Sequence, residues 1–152
     1  MSQSIRPYVI ASATLCAIGG VVHLAAIPLG APWYALIGAP RGIVHMLGQG
    51  SLRPVVTCVA IAVLLAVWSG YGFSAAGLVR RLPAQRAVLA VVALVLISRS
   101  IVLPGLAAYA PSALTGICGR CQDLNGFVIA TSALCLFIGV AYAAAAMQPT
   151  PN

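Results

Sequence analysis

Two cysteines, Cys118 and Cys121, lie two residues apart in the stretch GICGRCQDLNG, residues 116–126. A C-x-x-C pair closes a very small ring and constrains little of the unfolded chain. It opens and closes with little rearrangement, however, so it suits thiol–disulfide exchange, and Arg120 between the cysteines would stabilise a thiolate. The pair is therefore the candidate catalytic site. The alternatives are a structural disulfide and two small residues with no chemistry.

Four further side chains are candidates for a binding site: His23, His45, Arg99 and Asp123. Arg99 lies within an apolar run, where an ionisable side chain exposed to lipid is costly and indicates a function. Asp123 is the only acidic residue in the chain. An Arg99–Asp123 ion pair near the outer interface would tie two spans together. The alternative is an Arg99 that recognises an anionic or quinone-like ligand.

The two histidines, with Cys118 and Cys121, could supply four zinc ligands. Their spacing matches no zinc motif, so we predict no metal site. His23 alone is expected to be a hydrogen-bonded packing residue of its helix. Together the polar residues predict a layer near the outer face, under the first outer loop, formed by His23, Arg99, Asp123, Ser98, Ser100 and Asn125.

The composition identifies the elements that must position these residues. Of the 152 residues, 62% are hydrophobic and 6% are charged, which is far too little charge to cover a soluble domain. The net charge of +7 comes from eight arginines. They lie mostly at the ends of apolar runs, as topology-setting charges do, rather than on one basic face, so a nucleic-acid partner is not predicted.

Four apolar runs are long enough to cross a bilayer, which needs roughly 20 residues. They predict an all-α membrane protein with four transmembrane helices in one domain, residues 1–152, the helices lying at about 8–27, 54–79, 87–106 and 124–147. Small residues at a spacing of four predict close helix packing. They are Ser12, Cys16 and Gly20; Thr131, Cys135, Gly139 and Ala143; and the pairs Gly70–Ser74 and Gly72–Ala76.

The loop 80–86 carries three arginines, and short arginine-rich loops stay in the cytoplasm. The expected localisation is a multi-pass protein of the cell inner membrane with both termini cytoplasmic, so that loops 28–53 and 107–123 lie outside. The first outer loop is too apolar for an ordinary solvated link. Residues 41–48 predict a short interfacial helix, with a substrate lid as the alternative.

A four-helix membrane bundle with C-x-x-C at the outer start of its last span resembles the vitamin K epoxide reductase family. Disulfide-forming membrane oxidases of related architecture also place cysteines at the outer face and pass electrons to a quinone. The resemblance implies that Cys118 and Cys121 are a dithiol beside a bound quinone, with Arg99 or His23 lining its pocket. The first outer loop departs from those families, because it has no cysteine for a second, electron-relaying pair.

The chain as a whole resembles small four-span bacterial inner-membrane proteins of uncharacterised function. The stretches HLAAIPLGAPWYALIGAP and LVRRLP carry that resemblance, which implies no activity.

Because no catalytic set is complete, we predict a non-enzymatic accessory or binding protein. Its partners would be the lipid bilayer and a membrane protein or a second copy of the chain. One alternative is a periplasm-facing thiol oxidoreductase that uses Cys118 and Cys121 with a quinone, the only cofactor that any of these hypotheses implies. The other is a small-molecule exporter, although no span has the buried carboxylate that a proton-driven exporter normally needs.

Overall fold

The computed structural model describes residues 3–114 and 116–148, and the described chain is helical without any strand. Two short helices, α2 (Ala31–Leu36) and α3 (Arg41–Gly48), and a 3-10 turn at Pro111–Leu114 lie in the loops. Four long helices, α1 (Arg6–Leu29), α4 (Arg53–Ala75), α5 (Gln85–Tyr109) and α6 (Gly126–Met147), are long and apolar enough to cross a membrane. The predicted all-α fold with four membrane helices is confirmed, and a short helix covers 41–48.

The long helices pack mainly as two pairs, α1 on α4 and α5 on α6, which meet less extensively along α1–α6 and α4–α5. Hydrogen bonds of 3.0 Å from Arg6 Nε to Ala76 O and from Arg86 Nε to Ala146 O join the start of α1 to the end of α4, and the start of α5 to the end of α6. We call this end of the bundle the termini end. The opposite end, which carries α2, α3 and the disulfide loop, is the cap end.

Two prolines lie inside long helices, and the first of them, Pro28, lies beyond the predicted end of its helix. α1 continues through Pro28, and α5 continues through Pro104 to Tyr109. A proline removes one backbone hydrogen bond, and membrane helices tolerate this because neighbouring helices and polar side chains satisfy the freed carbonyl. The residues around Arg99 therefore belong to the middle of a helix rather than to its end.

The two other boundaries also have local causes. α4 ends at Ala75 instead of 79, and Gly77 follows with a φ of 75°, which turns the chain into the loop. α6 begins at Gly126 because the Asn125 side-chain oxygen accepts hydrogen bonds from the amides of Phe127 and Val128.

Close helix contacts occur at predicted small residues. A Cβ placed on Gly20 would lie 3.3 Å from Ala62 O of α4, and one placed on Gly139 would lie 3.2 Å from Ala93 O of α5. These glycines let the backbones within each pair approach closely. Gly70 faces open space instead, since a Cβ there would meet nothing within 4 Å. The predicted Gly70–Ser74 seam is therefore wrong.

Candidate functional site

Cys118 and Cys121 form a disulfide whose Cα atoms are 5.4 Å apart. The two residues are only 8% and 0% exposed. They belong to an apolar cluster under the cap that also contains Leu103, Ala107, Leu114 and Val128. Thiol–disulfide exchange requires a partner thiolate to reach a sulfur atom directly. The burial of both residues opposes such an attack.

The disulfide loop clamps the first loop to the start of α6. The Gly119 amide donates a hydrogen bond of 3.1 Å to Gly38 O, and Arg120 Nη1 donates one of 3.1 Å to Leu36 O. The Arg120 guanidinium also lies over the Phe127 ring, with Cζ 4.9 Å from its centre. We call this arrangement of residues 118–121 against 36–38 and Phe127 the loop clamp. It accounts for the C-x-x-C motif structurally.

Arg99 has a different partner from the one that the sequence predicts. Its Nη1 atom donates a hydrogen bond of 3.2 Å to Cys135 Sγ on α6, and the side chain is exposed on the bundle surface. The predicted Arg99–Asp123 pair does not form, because α5 runs ten residues beyond Arg99, roughly 15 Å at 1.5 Å per residue. Asp123, also exposed, lies outside the start of α6.

The two histidines also have separate surroundings. His23 Nδ1 lies 2.8 Å from Gly19 O of its own helix, and His45 is exposed on α3. In the described part of the chain, no three His, Cys, Asp or Glu side chains come close enough to hold a metal ion. The polar layer that the sequence predicts around His23, Arg99 and Asp123 is not a single site, because each side chain has its own neighbours.

Tyr34 of α2 points into the protein. It is 1% exposed and packs with Ala26 of α1 and Cys58 of α4 under the cap. Its hydroxyl has no hydrogen-bond partner among the described residues. Burial raises the pKa of Tyr34 to about 12, and the neighbouring Cys58 contributes to the increase.

The termini end contains a cavity of about 810 Å³ that the sequence interpretation did not foresee. The polar residues around it come from four separate segments of the chain and include Arg6, Ser74, Arg81, Gln85 and Arg86. Asp123, the only acidic side chain in the sequence, lies at the opposite end of the bundle. The three arginines therefore have no carboxylate side chain to balance them.

Each arginine keeps hydrogen-bond donors for a ligand. Arg6 and Arg86 use Nε to donate to helix-terminal carbonyl groups, which leaves their Nη atoms. Arg81 is exposed and makes no hydrogen bond or ion pair with the residues that the structure describes. α5 begins here after Ala84, in the left-handed conformation at φ 51°, with no side-chain cap on its first amides. An uncapped helix start adds partial positive charge.

Ser74 holds the arginine-bearing loop in place. Its Oγ atom accepts a hydrogen bond of 3.0 Å from the Leu82 amide and lies 3.0 Å from Gln85 Oε1. Tyr71 donates a hydrogen bond of 3.3 Å to Pro83 O of the same loop. The sequence pattern predicts a packing role for Ser74 and a topology-setting role for the loop arginines, so it does not indicate this site. The serine beside an arginine-rich turn was the available signal.

Comparisons with known proteins return no match: no family model, curated protein or solved structure matches this chain.

Proposed function

We propose that this chain is a non-enzymatic binding protein of a bacterial inner membrane, with both termini in the cytoplasm. Its binding site is the arginine-lined cavity at the termini end, and its ligand carries an anionic phosphate group. The observation that carries the proposal is the grouping of Arg6, Arg81 and Arg86 around one open cavity without an acidic side chain.

The chemistry of the cavity favours phosphate. Arginine presents several N–H groups in a planar fork that matches the oxygen atoms of phosphate, often through two hydrogen bonds at once. The uncapped start of α5 favours negative charge at the same place. Near a membrane surface, each arginine contributes about 1 kcal/mol to the binding of an anionic group, so three arginines contribute about 3 kcal/mol.

Two features favour binding over the thiol oxidoreductase alternative. The disulfide is buried in the apolar cluster under the cap. The other cysteines, Cys16, Cys58 and Cys135, are unpaired and lie within the long helices, where they offer no loop-borne pair to relay electrons. The proposed function therefore includes no electron transfer between these cysteines and a quinone.

The test is a titration of the purified protein in detergent with glycerol 3-phosphate, followed by thermal unfolding. Binding to the folded state raises the unfolding temperature in a saturable way. We expect Arg81→Gln to weaken the apparent affinity roughly fivefold, the equivalent of about 1 kcal/mol. The full chain is used throughout.

The matched control is Arg53→Gln, which removes the same charge from an exposed arginine at the cap end. It should leave the titration unchanged. Glycerol and an equal ionic strength of sodium chloride should produce no saturable shift. An absent response in the wild type, or equal losses in the two variants, would contradict the proposed site.

A further inference from the structure

An apolar groove of about 500 Å³ runs between α1 and α6. Its walls include Ile5, immediately before α1, Tyr8 of α1, and Leu136, Phe137, Val140 and Ala144 of α6. The groove and the arginine cavity are neighbours, because Ile5 and Ala144 line the groove while the next residues, Arg6 and Ala145, line the cavity. The arginine cavity therefore adjoins an apolar groove along the membrane-spanning surface.

We infer that the ligand of the arginine cavity is an anionic phospholipid, with its phosphate among the arginines and one acyl chain in the groove. This inference rests on the proposed function and names the class of its ligand. Basic pockets between membrane helices are the sites that recognise anionic lipid headgroups. The groove favours a lipid over a free phosphate, because its apolar walls can contact an acyl chain and a free phosphate has none.

The length of the groove fits one leaflet. Its α6 wall extends from Ala133 to Ala144, eleven residues along the helix, or roughly 16 Å at 1.5 Å per residue. Half of the hydrocarbon core of a bilayer is about 15 Å thick. An acyl chain that entered beside Ala144 would thus lie against protein for the depth of its leaflet.

Tyr8, one of the two aromatic residues of the groove, lies near its headgroup end. Tyr8, two residues after Arg6, packs edge-on against Phe137 with the ring centres 6.5 Å apart. Tyrosine is enriched at the level of lipid headgroups, where its ring stays in apolar surroundings and its hydroxyl reaches polar ones. The charge of the cavity selects among lipids, since three arginines favour a net negative headgroup over a zwitterionic one.

The experiment measures lipid binding to the detergent-purified full chain by native mass spectrometry. The probes are a phosphatidylglycerol and a phosphatidylcholine with the same acyl chains. Val140→Trp fills the groove at a residue that is already 53% exposed, so the fold has room for it. Val91→Trp, at a similarly exposed position on α5 (61%), adds the same bulk outside the groove.

We expect the wild type to retain phosphatidylglycerol at least fivefold better than phosphatidylcholine. Both Arg81→Gln and Val140→Trp should lower that retention severalfold, and Val91→Trp should not. Val140→Trp should still bind soluble glycerol 3-phosphate as the wild type does. This combination would support a site for both headgroup and chain.

Other results overturn the inference in distinguishable ways. If Val140→Trp retains phosphatidylglycerol normally while Arg81→Gln loses it, the cavity binds a headgroup or free phosphate without the groove. Equal retention of the two lipids would show that charge does not select the ligand. If the wild type binds neither phosphatidylglycerol nor glycerol 3-phosphate, the proposed function fails together with the inference.

Discussion

The guanidinium of Arg120 contacts Phe127, its Cζ atom lying 4.9 Å from the ring centre, while Nη1 donates a hydrogen bond to Leu36 O. One side chain thus joins the disulfide loop to both the end of α2 and the first turn of α6. The disulfide lies buried behind these contacts, in the apolar cluster that includes Leu103 and Val128.

Gly119→Ala should destabilise the protein. A Cβ at this position would collide with Ala39 O, a backbone atom, while the Gly119 amide is held by its hydrogen bond to Gly38 O. We expect a loss of about 1–3 kcal/mol, as for other overpacked sites, measured by thermal unfolding in detergent.

The control is Gly42→Ala in α3, where a Cβ meets nothing within 4 Å. It should be neutral or stabilising by up to about 1 kcal/mol, because alanine is the better helix former. Equal stability of Gly119→Ala and the wild type would contradict the close contact between the loops.

The disulfide should resist reduction in the folded protein. We expect a reductant concentration that opens the bond within minutes in denaturant to leave it intact in mild detergent, because both residues are buried. Maleimide labelling in a background with Cys16, Cys58 and Cys135 replaced by alanine measures the fraction reduced. Rapid reduction of the folded protein would restore thiol exchange as a candidate activity.

Loss of the disulfide should also lower stability. Cys118→Ser combined with Cys121→Ser is expected to cost about 2 kcal/mol from the ring entropy of a C-x-x-C bridge. Both serines would in addition be buried in an apolar cluster. Glycerol 3-phosphate binding at the opposite end should persist in the double variant, which separates the clamp from the proposed site.

Arg99→Leu should leave the free energy of unfolding within about 1 kcal/mol of the wild type. The substitution loses one hydrogen bond to Cys135, and side-chain hydrogen bonds between membrane helices are worth about 0.6 kcal/mol on average. It also removes a charge from the surface of a membrane-spanning helix, which is favourable. Unfolding in a detergent–denaturant series measures the difference in the free energy of unfolding between the variant and the wild type.

A double-mutant cycle identifies the partner of Arg99. Arg99→Leu with Cys135→Ala should show a small coupling energy, whereas Arg99→Leu with Asp123→Ala should be additive. A coupling energy between Arg99 and Asp123, with none between Arg99 and Cys135, would support the ion pair that the sequence predicts instead.

Tyr34 should make stability fall at high pH. Its pKa is raised from the ordinary 10.0 to about 12, so between these values the unfolded chain loses a proton that the folded protein keeps. Stability is therefore unaffected below pH 10 and declines above it, with a slope of at most about 1.4 kcal/mol per pH unit.

Tyr34→Phe should remove this contribution to the slope and be neutral or stabilising at pH 7, because the hydroxyl has no partner among the described residues. Tyr109→Phe, at a residue that is 92% exposed, is the control and should keep the slope. Unchanged pH dependence in Tyr34→Phe would show that its hydroxyl is not desolvated.

Hydrophobicity alone was sufficient to predict the four long helices, because each carries a long apolar run. Helix ends were harder to predict. Pro28 looked like a stop, yet packing within the bundle lets α1 continue through it, and α5 extends to Tyr109, three residues beyond its predicted end at 106. The partner of Arg99 was missed for the same reason, since its depth depends on where α5 ends.

The candidate site was not predictable from spacing. Arg6 and the loop arginines are more than 70 residues apart, and only the antiparallel packing of α1 and α4 brings them to one cavity. The disulfide was anticipated as one alternative, but its burial depends on contacts with the first loop, which no local pattern encodes.

The loop clamp links the stability of the molecule to the direction of its insertion. Under the proposed orientation the cap end faces an oxidising compartment, where Cys118 and Cys121 can pair. A molecule inserted the other way round would keep both thiols reduced and lack the covalent bond within the loop clamp. Such a molecule would unfold more readily than a correctly oriented copy, because it would lack the roughly 2 kcal/mol that the bond contributes.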